Sequence, residues 1–244
     1  MQDTHQMNYE NMIKSQDDGL TLLVGCSADS MMQIYVAEMA KKHNIRNQIF
    51  IPNRAKKSAL TKRCIELGAN ITEIPYPCYP SHYRKAAREF ANENKTVAWN
   101  PSMSTEDTAE QVSNLPESIK RIVVSCGSGA IATGIAIGLI LNDRCDVEIV
   151  AVKVSTAFGG LVEMVNKIEK SLLQKGISEY NMPKITVIDP TSKYGKKQVE
   201  SLPDGTELDY TYSAKAYRWM LDNSKEFDLL WISGRRPGLK VFGM

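Results

Sequence analysis

The chain has 244 residues and a mass of 27.3 kDa, which fits one large or two small domains. Its 43% hydrophobic and 24% charged residues describe a chain that folds, and a net charge of +2 does not indicate nucleic acid or an anionic membrane as an obligatory partner. The longest mostly apolar run, Gly129 to Leu141, is 13 residues against the roughly 20 that a bilayer-crossing helix needs.

Short apolar runs alternate with helix-length amphipathic segments, the pattern of βα units around a parallel sheet. Leu20 to Gly25 is the first predicted strand, and Cys26-Ser27-Ala28-Asp29 offers capping side chains to a helix running to about Lys42. A strand over Gln48 to Ile51, a helix from Ser58 to Leu67 stopped by Gly68, and a strand over Ile71 to Ile74 follow. The proline-rich segment 76–81 turns the chain into a helix from about His82 to Asn94, and Val97 to Trp99 reads as a short strand. Asn100 to Ser104 reads as a crossover, leading to a polar helix from about Thr105 to Asn114.

The alternation then restarts. Strands are predicted at Arg121 to Cys126, Val147 to Val152, Ile185 to Ile188 and Leu229 to Ser233, with helices at Ala130 to Leu141, Leu161 to Lys175 and Ser213 to Asn223. There is no internal repeat and no low-complexity tract.

Five cysteines without a C-x-x-C pair leave an odd thiol after any pairing, so they are read as reduced. The three histidines make no zinc-site spacing, and no metal is expected. The opening MQDTHQMNYENM lacks a cationic stretch before an apolar core, so no secretory signal is read there and the expected compartment is the cytoplasm.

The sharpest local feature runs from Val123 to Gly134, a strand entering the turn Gly127-Ser128-Gly129-Ala130-Ile131 that opens a helix. Glycines let a backbone approach an anion, while unpaired amides and the helix dipole favour negative charge. The same glycines also suit tight helix packing, with Gly134 and Gly138 on one face, and both readings stay open. Gly127-x-Gly129-x-x-Ala132 satisfies the dinucleotide fingerprint, but the next strand is followed by Lys153-Val154-Ser155 instead of an acid for ribose hydroxyls. No G-x-x-x-x-G-K-[ST] sequence occurs, which disfavours a P-loop nucleotidase.

Over about residues 20 to 240 the order of segments resembles the tryptophan synthase β-like, or fold type II, pyridoxal-phosphate enzymes. Cys126 to Ala130 resembles that family's phosphate loop, Gly25 to Ser30 its serine-containing turn at a helix N-terminus, and Leu67 to Ile71 its glycine-alanine helix stop. Leu208 to Lys215, Leu230 to Gly234 and Lys193-Tyr194-Gly195 resemble the branch of aminocyclopropane-carboxylate deaminase and D-cysteine desulfhydrase.

The resemblance implies an α/β fold of two open, mostly parallel sheets flanked by helices. A small domain at 20–103 would be inserted in a larger one made of 1–19 and 104–244, with pyridoxal 5'-phosphate in the cleft between them. It implies a homodimer, with no membrane partner. It assigns Gly127, Ser128, Gly129, Ala130 and Ile131 to the cofactor phosphate, Ser233 to the pyridine nitrogen, and Ser27, Ala28, Asp29 and Ser30 to a substrate carboxylate. Tyr212 would lie near the substrate carbon. Each has an ordinary alternative: Ser27 as a helix cap, Tyr212 as a packed aromatic, Ser233 as a strand end.

Two departures stand out. The lysine that holds the cofactor in the family has no clear counterpart, since Lys14 is the only lysine before Leu20 and would lie at the far end of a helix over 6–16. Asp29 stands at about the place of a family asparagine, where an acid would repel an anionic ring oxygen.

The expected activity is therefore a lyase or transferase acting at the α or β carbon of an amino acid or amino-acid-derived group, with Lys14 or Tyr212 as base. The alternatives are a lysine-less relative that binds pyridoxal phosphate, a phosphorylated metabolite or a partner, and a protein whose missing segment comes from another chain. A further alternative is modification of an amino acid linked to nucleic acid, read from Arg235-Arg236, Lys193, Lys196 and Lys197, whose ordinary reading is a solvated face.

Overall fold

The computed structural model describes residues 20–75, 79–96, 101–155, 158–189 and 196–233, with the backbone alone for 80 and 101–104. Lys14, Cys78, Val97 to Trp99, Lys193 to Gly195 and Arg235-Arg236 lie outside the described residues. Those described divide into two compact units, 20–96 and 101–233.

In the first unit three parallel strands, β1 (Thr21–Gly25), β2 (Arg46–Pro52) and β3 (Ile71–Ile74), form a sheet in that order. Three helices accompany it: α1 (Met32–His43), α2 (Ala59–Glu66) and α3 (Pro80–Glu93). Helix α1 carries Lys41, Lys42 and His43 in its last turn, where cations suit the dipole, and Asn44 ends it in the left-handed region at φ 53°. Ser58 caps α2 by accepting the Thr61 amide at 3.1 Å.

The second unit opens with α4 (Pro101–Gln111), continued by a short 3₁₀ turn. Four parallel strands follow, β4 (Arg121–Cys126), β5 (Glu148–Lys153), β6 (Ile185–Ile188) and β7 (Asp228–Trp231), arranged β6-β5-β4-β7. Its other helices are α5 (Ala130–Leu141), α6 (Leu161–Gln174) and α7 (Ser213–Asn223).

Both faces of this sheet are covered, which is why β4 reads as an unbroken Ile-Val-Val run with every residue buried. Ile122, Val124, Ile149 and Ala151 pack with Ile135 and Leu139 of α5 and with Met164 and Ile168 of α6. Val123, Val150 and Val152 face Ala216, Trp219 and Met220 of α7. Helix α5 has no polar face because α4 lies across its glycines. A Cβ on Gly134 would stand 2.4 Å from the Thr105 carbonyl, and one on Gly138 2.6 Å from that of Ala109.

Two boundaries depart most from expectation. Helix α1 begins at Met32 and not beside Ser27, because residues 27–30 form a turn closed by the Ser30 amide on the Ser27 carbonyl. Ser30 Oγ then accepts the Met32 amide at 3.2 Å. The Ala28 carbonyl is held by Gln33 Nε2, Ser58 Oγ and Thr61 Oγ1, contacts from farther along the chain that fix the turn as non-helical. The segment read as a crossover is already helix from Pro101, since proline in the first turn forfeits no hydrogen bond.

At the amino edge of the large sheet a buried ion pair ties β4 to β7. Arg121 Nε donates to Asp228 Oδ1 at 2.8 Å, its Nη2 donates to Oδ2 and to the Asn223 carbonyl, and the guanidinium lies 5.5 Å from the Trp219 ring centre. No helix among the described residues is long and apolar enough to cross a membrane.

Candidate functional site

Parallel pairing puts the carboxyl ends of β4 and β7 on one edge, with Val124 opposite Trp231. Residues 127–129 and Ser233 therefore emerge side by side, at the edge where open α/β sheets present their ligand-binding loops. Gly129 has φ 88° as it enters α5, a conformation that suits glycine, and a Cβ there would press to 3.2 Å of the Phe158 ring. Among the described residues, no hydrogen bond engages the amides of 127–131. Those of Ala130 and Ile131 begin a helix and are unpaired for that reason.

Tyr212 covers this turn. Its Cε1 would stand 2.7 Å from a Cβ on Gly127, so only glycine admits the ring at this height, yet the residue remains 40% exposed. The ring's position is set from behind by Asp209, whose Oδ1 accepts the amides of Thr211 at 2.9 Å and Tyr212 at 2.7 Å before α7 begins.

Beneath the turn three buried hydroxyls meet. Ser233 Oγ lies 3.1 Å from Ser125 Oγ, on the last residue but one of β4, and 3.3 Å from Ser213 Oγ, on the first residue of α7. A hydroxyl has one proton to donate and two lone pairs, so Ser233 can adapt to a donor or an acceptor by turning the network.

Lys215, one turn into α7, is 2% exposed, and its Nζ has no hydrogen-bond partner among the described residues. Burial pushes its pKa down, against the opposing charge of Asp209. Cys126, just before the glycine turn, is no nucleophile, because burial raises its thiol to about 12.

Gly127 to Ile131, Tyr212 and Ser233 thus gather in the second unit. Ser27, Ala28, Asp29 and Ser30 belong to the first, where Asp29 Oδ2 pairs with Arg54 Nη1 at 2.7 Å on the surface. That pair offsets the acidic charge noted in the sequence. Cys26, beside them, is held at about 12 by burial. Lys196 and Lys197 are exposed, in keeping with a solvated face. Among the described residues no cluster of three or more His, Cys, Asp or Glu could hold a metal ion.

Ser125, Ser213, Asp209 and Lys215 were not singled out from sequence. Asp209 alone left a signal, an aspartate two and three residues before amides that open a helix.

No family model and no curated protein sequence matches the chain. Solved structures do. An ACC deaminase homologue superimposes with a TM-score of 0.69 at 19% identity, over 93% of this chain and 78% of that one. The processed form of threonine deaminase isoform 2 from Solanum lycopersicum gives 0.62 at 11%, over 97% and 72%. O-ureido-L-serine synthase gives 0.58 at 12%, over 93% and 77%. At these identities the likeness shows architecture, and the chain has the fold of the fold type II pyridoxal-phosphate enzymes that its sequence resembles.

Proposed function

We propose that the chain is a pyridoxal-phosphate-dependent enzyme acting at the α or β carbon of an amino acid or amino-acid-derived group, as a lyase or transferase. The observation that carries this reading is the glycine turn at the head of α5, whose amides meet no hydrogen-bond partner among the described residues, beside a buried hydroxyl network. The residues present fit a phosphate-bearing ring: a cradle that a Cβ would fill, a helix N-terminus for the anion and an adaptable hydroxyl at Ser233.

In this reading the amides of Gly127, Ser128, Gly129, Ala130 and Ile131 hold the phosphate, and Ser233 Oγ meets the pyridine nitrogen. A neutral hydroxyl does not compel protonation there, which suits chemistry at the β carbon. Pyridoxal phosphate, when bound, supplies an electron sink for the pair released at the substrate's α carbon. Tyr212 covers the turn and moves a proton at its phenolic oxygen, while Ser27 to Ser30 offer hydroxyls and amides to a substrate carboxylate. A homodimer belongs to the same proposal. So does a reducing, cytoplasmic setting, which the free thiols of Cys26, Cys64, Cys126 and Cys145 support.

The test is a titration with pyridoxal phosphate followed by absorbance and calorimetry. Saturable binding displaced by inorganic phosphate is expected, weakened about tenfold or more in Gly127→Val, whose side chain would displace Tyr212 and block one or two charge-assisted hydrogen bonds. Absence of saturable binding, or binding indifferent to that substitution, would overturn the reading.

A further inference from the structure

A buried lysine normally finds a carboxylate or a ring of acceptors, and among the described residues Lys215 Nζ hydrogen-bonds to neither. Its Nζ is shielded among the described residues, and the charged group that bears on it, Asp209, has Oδ1 occupied by the Thr211 and Tyr212 amides. An apolar side chain of similar length would fill the same space without leaving an amine unsolvated, so what the amine adds is chemistry, not packing. Its place in the fold is specific. Three residues earlier stands Tyr212, whose ring lies on Gly127, and two earlier stands Ser213, whose hydroxyl meets Ser233.

We propose that Lys215 is the amine this site offers to a carbonyl ligand, its Nζ bonding covalently to the aldehyde carbon of a compound of the pyridoxal-phosphate class. Burial lowers the pKa of this amine, against the opposing charge of Asp209, so a larger share of it carries an available nitrogen lone pair than in an exposed lysine. The nitrogen adds to the carbonyl carbon, the carbonyl oxygen takes up the two amine protons and leaves as water, and a carbon–nitrogen double bond remains. No oxidant or reductant is needed. The proposal rests on the reading of the glycine turn as a phosphate cradle, and it assigns the covalent attachment to α7, not to Lys14.

The experiment incubates the full chain with pyridoxal phosphate, then adds borohydride, whose hydride saturates the new bond at carbon and leaves a stable secondary amine. Mass spectrometry of peptides locates the adduct. In parallel, 4-deoxypyridoxine 5'-phosphate, which has the ring and phosphate but no aldehyde, is titrated by calorimetry. The expected result is an adduct on Lys215, lost in Lys215→Met and Lys215→Gln, both of which still bind the analogue to within about twofold. An adduct on Lys14, or scattered over exposed lysines such as Lys196 and Lys197, overturns the assignment. Binding of the analogue without an adduct at Lys215 overturns this proposal alone, whereas failure of the analogue to bind overturns the cofactor reading with it.

Discussion

Replacing Lys215 by methionine should make the protein more stable, although an ionisable residue is removed and nothing is added. The side chain is 2% exposed and its Nζ meets no acceptor among the described residues, so the folded state carries an amine stripped of water. An unsatisfied buried donor costs about 1–3 kcal/mol. Methionine has nearly the same length, no polar hydrogen and a thioether that adapts to irregular space, so most of that amount should return at neutral pH.

The effect has a defined pH dependence. The folded pKa lies below the ordinary 10.5, chiefly through burial, so between the two values the unfolded chain holds more protons and wild-type stability rises with pH. The variant lacks this term. Its advantage is therefore full below the folded pKa and shrinks as pH climbs towards 10.5. Urea unfolding followed by tryptophan fluorescence at several pH values measures it, with Trp219 and Trp231 both reporting on the second unit. A loss of more than about 1 kcal/mol at pH 7, or an advantage that grows with pH, would refute the reasoning by showing that the amine is charged and paired.

Two further substitutions probe the frame. Asp228→Asn should destabilise by about 3–5 kcal/mol, since it strands a guanidinium whose partner side chain is only 2% exposed and opposes amide hydrogens to Arg121 and the Lys225 amide. A shift in urea midpoint equivalent to less than about 1 kcal/mol would show that the pair is dispensable. Gly138→Ala gains about 1 kcal/mol of helix propensity but drives a methyl to 2.6 Å from both the Ala109 carbonyl and Val112 Cβ, so a net loss of about 1–2 kcal/mol is expected by thermal unfolding. A stabilised variant would mean that α4 does not press on α5 as described.

Much of the frame was legible because local chemistry and tertiary structure agree. Strands β3, β4 and β6 and helices α5 and α7 have the expected bounds, each an apolar or amphipathic run set between turn-forming or polar residues. The turn at 27–30 was not, since it depends on Ser58 and Thr61 holding the Ala28 carbonyl from thirty or more residues away. The hydroxyl network was equally hidden. Ser125, Ser213 and Ser233 lie on three elements, and each looks locally like a strand or cap serine. Lys215 hides best, because a lysine in the first half of an amphipathic helix is usually solvated, and only the packing around α7 shows otherwise.

The glycines between 127 and 138 were open to two readings, phosphate cradle or helix packing, and the structure shows the packing role at Gly134 and Gly138. Gly134 and Gly138 would drive a Cβ into the backbone of α4, so an added methyl must move a helix. A Cβ on Gly127 or Gly129 would instead press first on a side chain, the ring of Tyr212 or of Phe158, and Tyr212 is itself 40% exposed. Pressing α4 on α5 buries the flanks of α5 and holds it in place, while among the described residues no hydrogen bond engages its first amides. A rigid helix with open amides is what an anion site needs, because donors already fixed in place lose little entropy when the ligand arrives. In the proposed reading the packing glycines serve the phosphate turn indirectly, and a substitution at 138 that leaves the fold intact should still weaken phosphate binding by loosening the helix that presents those amides.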